Sequence, residues 1–203
     1  MRVRSITAAF ALVLNLTSLA SAADVTIGFG GVIDINGAFP AVPNPLGQPV
    51  DGSVRFASPL EPTTTPTSSN YVDPSGDLKM NFGAGGTFTS FDANSPLLIS
   101  VSDSGGNTVL RFEAWNGGDL GLGDKGVVSF TLPGLNAFGP ARALPTSPFT
   151  FAQLLAGSPG IGGVTIGPGL TSFQVTSITP EPTTAAAALM VGTLLSQRRR
   201  GPR

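Results

Sequence analysis

The chain has 203 residues, 11 basic and 12 acidic, for a formal net charge of −1. It contains no cysteine and no histidine, which removes disulfides, thiolate chemistry, the commonest general base and the commonest zinc ligand together. Its 27 glycines and 18 prolines, set against only 11% charged residues, fit short strands joined by tight turns rather than a helical protein.

The N-terminus has the order of an export signal. Arg2 and Arg4 form a basic start, Ile6 to Leu14 is apolar except for Thr7, and Ala20-Ser21-Ala22 supplies a small-x-small cleavage pattern. This predicts a signal peptide over 1–22, cut by signal peptidase between Ala22 and Ala23. A buried N-terminal helix is the plainer alternative, and it leaves the charge order and the small residues unexplained.

Between the two ends, the sequence predicts a single domain over 23–179. Val25 to Ile35 reads as a first strand, followed by a proline-rich connection and a strand at Ser53 to Ala57. Ser58 to Asn70, rich in Pro, Thr and Ser, reads as an exposed loop. Asp77 to Phe82 and Gly86 to Phe91 read as a hairpin across Gly83-Ala84-Gly85. Leu97, Ile99 and Val101 alternate with polar residues, Asp103-Ser104-Gly105-Gly106-Asn107 turns the chain, and Thr108, Leu110 and Phe112 alternate back, the pattern of a β-hairpin. Lys125 to Leu132, Ile161 to Ile166 and Leu170 to Ile178 give further strands, and Phe149 to Leu155 fits either a strand or a helical turn. Eight or nine short strands with no convincing helix predict an all-β fold, a single antiparallel β-sandwich of jelly-roll type.

The stretch from Asp24 to Glu181 holds all 12 acidic residues and only five basic ones. No basic patch is present to offset phosphate charge, so a nucleic-acid partner is not expected. Asn116 to Asp124 is the densest run of oxygen ligands, and Asp119 and Asp124 are candidate calcium ligands. Their spacing matches no EF-hand loop, and a Gly-Asp turn explains them equally well. Trp115, Glu113 and Arg111 share one strand face if Leu110, Phe112 and Ala114 point inward, which makes them a candidate carbohydrate-contact strip; a lone Trp is more often a packing residue. A hydrolase reading has little to build on. A Ser-His-Asp triad is impossible, a Ser-Lys pair has only Lys79 and Lys125 to use within the domain, and Glu61 and Glu113 do not form an evident carboxylate pair. No catalytic residue and no obligate cofactor are predicted.

The C-terminus carries the most specific signal. Pro180-Glu181-Pro182 is followed by an apolar run from Ala185 to Leu195 and then by Arg198-Arg199-Arg200. From Thr183 to Ser196 a helix would cover about 21 Å, short of the roughly 30 Å hydrocarbon core, so the segment reads as a weak, transient transmembrane helix. The arginines form a cytoplasmic basic stop, and a cleaved signal at the other end places the body outside, so both ends give one topology. The two prolines are expected to end ladder pairing and hold the tripeptide clear of the folded body.

Residues 180–203 resemble the PEP-CTERM sorting tail of bacterial surface and matrix proteins. The resemblance covers only the tail, whose apolar segment is shorter and richer in alanine than is usual in the family. It implies recognition of Pro180-Glu181-Pro182 by a membrane-embedded exosortase, with this chain as substrate rather than enzyme. The expected protein is thus secreted, non-catalytic, and delivered to the cell envelope, cell surface or extracellular polysaccharide matrix. The alternatives are a carbohydrate-binding module of an exopolysaccharide matrix or, with less support, a secreted hydrolase.

Overall fold

A computed structural model describes residues 23–38, 46–90, 96–116, 124–166 and 169–181. The strands are β1 (Ala23–Asn36), β2 (Pro49–Ser58), β3 (Thr63–Thr64), β4 (Ser68–Asp73), β5 (Asp77–Asn81), β6 (Thr87–Thr89), β7 (Leu97–Ser104), β8 (Asn107–Asn116), β9 (Asp124–Pro133), β10 (Gly160–Ile166) and β11 (Gly169–Glu181). Among the described residues one α-helix, α1 (Pro148–Leu155), precedes β10. The predicted signal peptide over 1–22 and the tail from Pro182 onward lie outside the described residues. Among the described residues no helix is long and apolar enough to cross a membrane.

The fold is all-β, as expected, but it is not a two-sheet sandwich or jelly roll. All eleven strands hydrogen-bond into one antiparallel sheet in the order β3-β4-β7-β8-β9-β10-β11-β1-β2-β5-β6. Most strands pair with a sequence neighbour through a hairpin, so the ladder never breaks into two layers. Instead the sheet curls into an open half-barrel around its own apolar face. Phe56 of β2 lies 6.2 Å, ring to ring, from Phe112 of β8, five strands away in the ladder. On β9, Gly126 lies under Phe88 and Met80 of the opposite limb, where any side chain at that position would collide with them.

Alternation along each strand sets which residues fill the concave side. Leu110, Phe112 and Ala114 of β8, and Val128, Phe130 and Leu132 of β9, are buried, while their neighbours face out. The β7–β8 turn works because Gly105 and Gly106 both take positive φ, +59° and +83°, as a two-residue hairpin turn requires. Helix α1 settles the ambiguous 149–155 stretch and overturns the expectation that no helix precedes the tail. Pro148 at its first turn suits a helix start. Phe151, Ala152 and Leu155 turn into the curl, where the Phe151 ring meets Phe56 at 5.7 Å, Phe138 at 6.1 Å and Phe112 at 6.2 Å.

The 58–70 segment is not all loop, since it holds β3 and the start of β4. Strand β4 buries Ser69, Tyr71 and Asp73, polar residues in inward positions. Asp73 accepts hydrogen bonds from the Ala57 and Ser75 backbone N–H groups at 2.6 and 2.8 Å and from the Ser75 hydroxyl, tying the end of β4 to the end of β2. The two limbs therefore touch at this corner through a carboxylate rather than a ladder. The sheet's outermost strands are short, two residues in β3 and three in β6.

Candidate functional site

The face that carries Arg111, Glu113 and Trp115 forms as the alternation of β8 predicts, because the apolar members of that strand are drawn into the curl. The three side chains lie on the convex surface, and β9 adds Lys125 directly opposite Trp115. Arg111 Nε donates to Glu113 Oε2 at 3.0 Å, with Nη2 on the same oxygen, and Lys125 Nζ binds Glu113 Oε1 at 2.7 Å. Lys125 Nζ also sits 5.0 Å from the centroid of the Trp115 ring, within cation–π range. Partial burial works against the ionised form of Glu113, but the bonds from Lys125 and Arg111 outweigh it and hold its carboxyl below the usual range.

Chemically the strip is a charge-balanced surface with one aromatic ring. Both oxygens of Glu113 are engaged by cations, so it is kept ionised at neutral pH. A ligand with several hydroxyls could take hydrogen bonds from Arg111 and Lys125 while lying against the indole. The participation of Lys125 was not anticipated in the sequence. The signal for it was the symmetry of the hairpin: once Asn116 faces Asp124, residues 115 and 125 must be partners.

Asp124 stands opposite Asn116 at the mouth of the β8–β9 hairpin, and Asp119 lies outside the described residues. Among the described residues no three metal-ligating side chains come together.

A second polar cluster, absent from the sequence reading, fixes the 134–147 segment to the β7–β8 turn. Arg142 Nε and Nη2 donate to Asp103 Oδ2 at 2.9 and 2.6 Å, and Nη2 also reaches the Pro66 carbonyl at 3.0 Å. Asp103 Oδ1 accepts from the Asn136 N–H at 3.0 Å and the Thr108 hydroxyl at 2.8 Å. The Tyr71 hydroxyl donates to the Arg142 carbonyl, and its burial pushes the phenol's pKa up. The Asn136 N–H, then Arg142 and Thr108, hold the Asp103 carboxyl below its ordinary value. Asn136 and Arg142 both take positive φ, +57° and +49°, a conformation the network maintains. The clue in the sequence was Arg142 itself, a lone charge between Pro140 and Pro145 in a segment without strand alternation.

The predicted sorting and cleavage residues divide. Pro180 and Glu181 are described, whereas Pro182, Arg198, Arg199 and Arg200 are not; of the cleavage residues, Ala20 and Ala22 lie outside and Ala23 begins β1. Proline does not stop the strand where expected. β11 continues through Pro180 and Glu181, which stand opposite Ile27 and Thr26 of β1, so this part of the tripeptide belongs to the sheet instead of standing clear of it. A proline is tolerated there because the strand's other side is no longer covered: β10 has already ended opposite Val175.

The chain matches no protein-family model, and no curated protein matches it significantly.

Proposed function

We propose that this chain is an exported, non-catalytic protein of the bacterial cell surface or extracellular matrix, sorted through its C-terminal tail by an exosortase. The observation that carries this reading is the pairing of β1 with β11. Ala23, the first residue after the predicted signal cleavage, lies three positions along β1 from Thr26, and Thr26 faces Glu181 of the tripeptide. At about 3.3 Å per residue along a strand and about 4.8 Å between strands, the two processing points lie on the order of 10 Å apart. A precursor with an apolar segment at each end, both entering one bilayer, needs both exits at one end of its body. Neighbouring antiparallel strands that begin and finish there meet that need.

The test is the intact mass of mature protein from cells with and without an exosortase. Loss of residues beyond about Pro182 only in the presence of that enzyme supports sorting. An unchanged C-terminus in both cells reduces the tail to an ordinary anchor.

A second reading, carbohydrate binding, is favoured by the convergence of Arg111, Glu113, Trp115 and Lys125 on one outward face. Glycan-array binding that disappears in Trp115→Ala supports it, and an unreactive wild-type protein removes it.

A further inference from the structure

Strand β11 has two halves of different character. From Thr171 to Val175 it is paired on both sides, to β10 and to β1. Thr171 and Phe173 are fully buried there. The Phe173 ring stacks on Phe29 at 5.9 Å and meets the edge of Phe82 at 6.0 Å. Thr171 adds a hydroxyl bond to the Asn36 side chain at 2.8 Å and accepts the Ala38 N–H at 3.1 Å.

Beyond Val175 three things change at once. β10 has ended, so among the described residues β1 is the remaining ladder partner. The register slips, with Gly31 opposite Val175 and Gly30 opposite Ser177, which leaves Thr176 as the extra residue of a bulge. Burial also falls: Thr176, Ser177, Thr179 and Pro180 are exposed, and Ile178, half-buried, is the one side chain of the stretch 176–180 that still packs against the core. The side-chain tie at the bulge is long, Thr176 Oγ1 to the Gly30 carbonyl at 3.4 Å.

We infer that residues 176–181 form a detachable strand end, which hinges at the Thr176 bulge and peels from β1 to present the tripeptide for processing. The inference rests on the sorting reading and adds to it the step that makes the site reachable. A segment held in a ladder has its backbone groups engaged and cannot enter a protease cleft until it opens locally. Four extended residues before the tripeptide, at about 3.3 Å each, carry its start about 13 Å from the hinge, and Glu181 reaches about 20 Å. Opening gives up the contact of Ile178 with the core but leaves the rest of the sheet paired, because β1 stays paired to β2 from Ala23 to Val32 and Phe173 holds the first half of β11 in the core.

A cross-link tests this directly, since the chain has no cysteine of its own. Gly28 and Thr179 face one another across the ladder, and directly opposed residues of an antiparallel pair fall within the Cα separation a disulfide spans. The oxidised double variant Gly28→Cys/Thr179→Cys should be trimmed by the exosortase at least ~10-fold more slowly than wild type, with trimming restored on reduction. Both single variants should be trimmed as wild type. An oxidised variant trimmed at the wild-type rate overturns detachment. If wild type itself is never trimmed, the sorting reading fails, and hydrogen exchange on the purified full-length chain still decides detachment. Amides of 176–181 should exchange ~100-fold or more faster than those of 170–175. Equal protection in the two halves overturns the proposal whatever the processing result.

Discussion

Two arginine–carboxylate networks in this protein have similar contact distances and different surroundings. At the turn, Arg142 and Asp103 are 8% and 10% exposed at the side chain; on the convex face Arg111 is 44% exposed, Lys125 32% and Glu113 16%. The turn network also satisfies a backbone N–H, a hydroxyl and a carbonyl, and it holds two residues at positive φ. Among the described residues the surface network satisfies only itself and an indole ring. Distance alone therefore does not rank them. What ranks them is how many groups would be left buried and unpaired if one partner were removed.

The largest effect should come from breaking the buried network. Arg142→Met leaves Asp103 without its cation and the Pro66 carbonyl without its donor, and should lower the melting temperature by about 10 °C. A melting temperature unchanged in a thermal scan would place the two networks in the same class. Next in size is an acid effect. Asp103 titrates lower in the folded protein than its ordinary value of 3.8, so its stabilisation is complete above that pH and is lost as the pH falls through the lowered value. Melting temperature followed from pH 6 downward should drop below about pH 4, and Asp103→Asn should be less stable at neutral pH with a flatter acid limb. An identical acid limb in the variant would assign the transition to other carboxylates.

Smaller changes are expected at the surface. Lys125→Met should move the melting temperature by no more than about 2 °C, since exposed ion pairs contribute little. Because the chain has a single tryptophan, its fluorescence reports on the strip alone. Emission should shift in Lys125→Met, and also in wild type at about 1 M salt, where screening acts within about 3 Å. If salt leaves emission unchanged while Lys125→Met alters it, the lysine and indole are held by packing rather than by charge.

Strands with regular alternation were legible in the sequence. Leu97 to Trp115 shows its hairpin in the order of residues, and the outward placement of Arg111, Glu113 and Trp115 followed from the same period of two. β4 was not legible, because Ser69, Tyr71 and Asp73 take the inward positions and are polar; they are tolerated there through hydrogen bonds that no alternation shows, Ser69 to Thr64, Tyr71 to the Arg142 carbonyl, and Asp73 to Ala57 and Ser75. The single curled sheet was equally hidden. Strand patterns show which face is apolar, but whether that face meets a second sheet or its own far limb depends on long-range contacts such as Phe56 with Phe112. The continuation of β11 through Pro180 is not legible, because a proline ordinarily ends ladder pairing. It stops pairing only where its nitrogen must donate, and on a strand with one open side it need not. The Asp103–Arg142 network joins residues 39 positions apart and leaves no periodic trace.

A half-barrel that never closes keeps two raw margins, and unpaired backbone at a sheet margin invites a neighbouring molecule to continue the ladder. Here both margins finish in stubs, two residues at β3 and three at β6, too short to template another chain. At these two margins a neighbouring molecule finds little backbone to extend, which leaves the open side of residues 176–181 of β11 as a longer place where a strand could be added among the described residues.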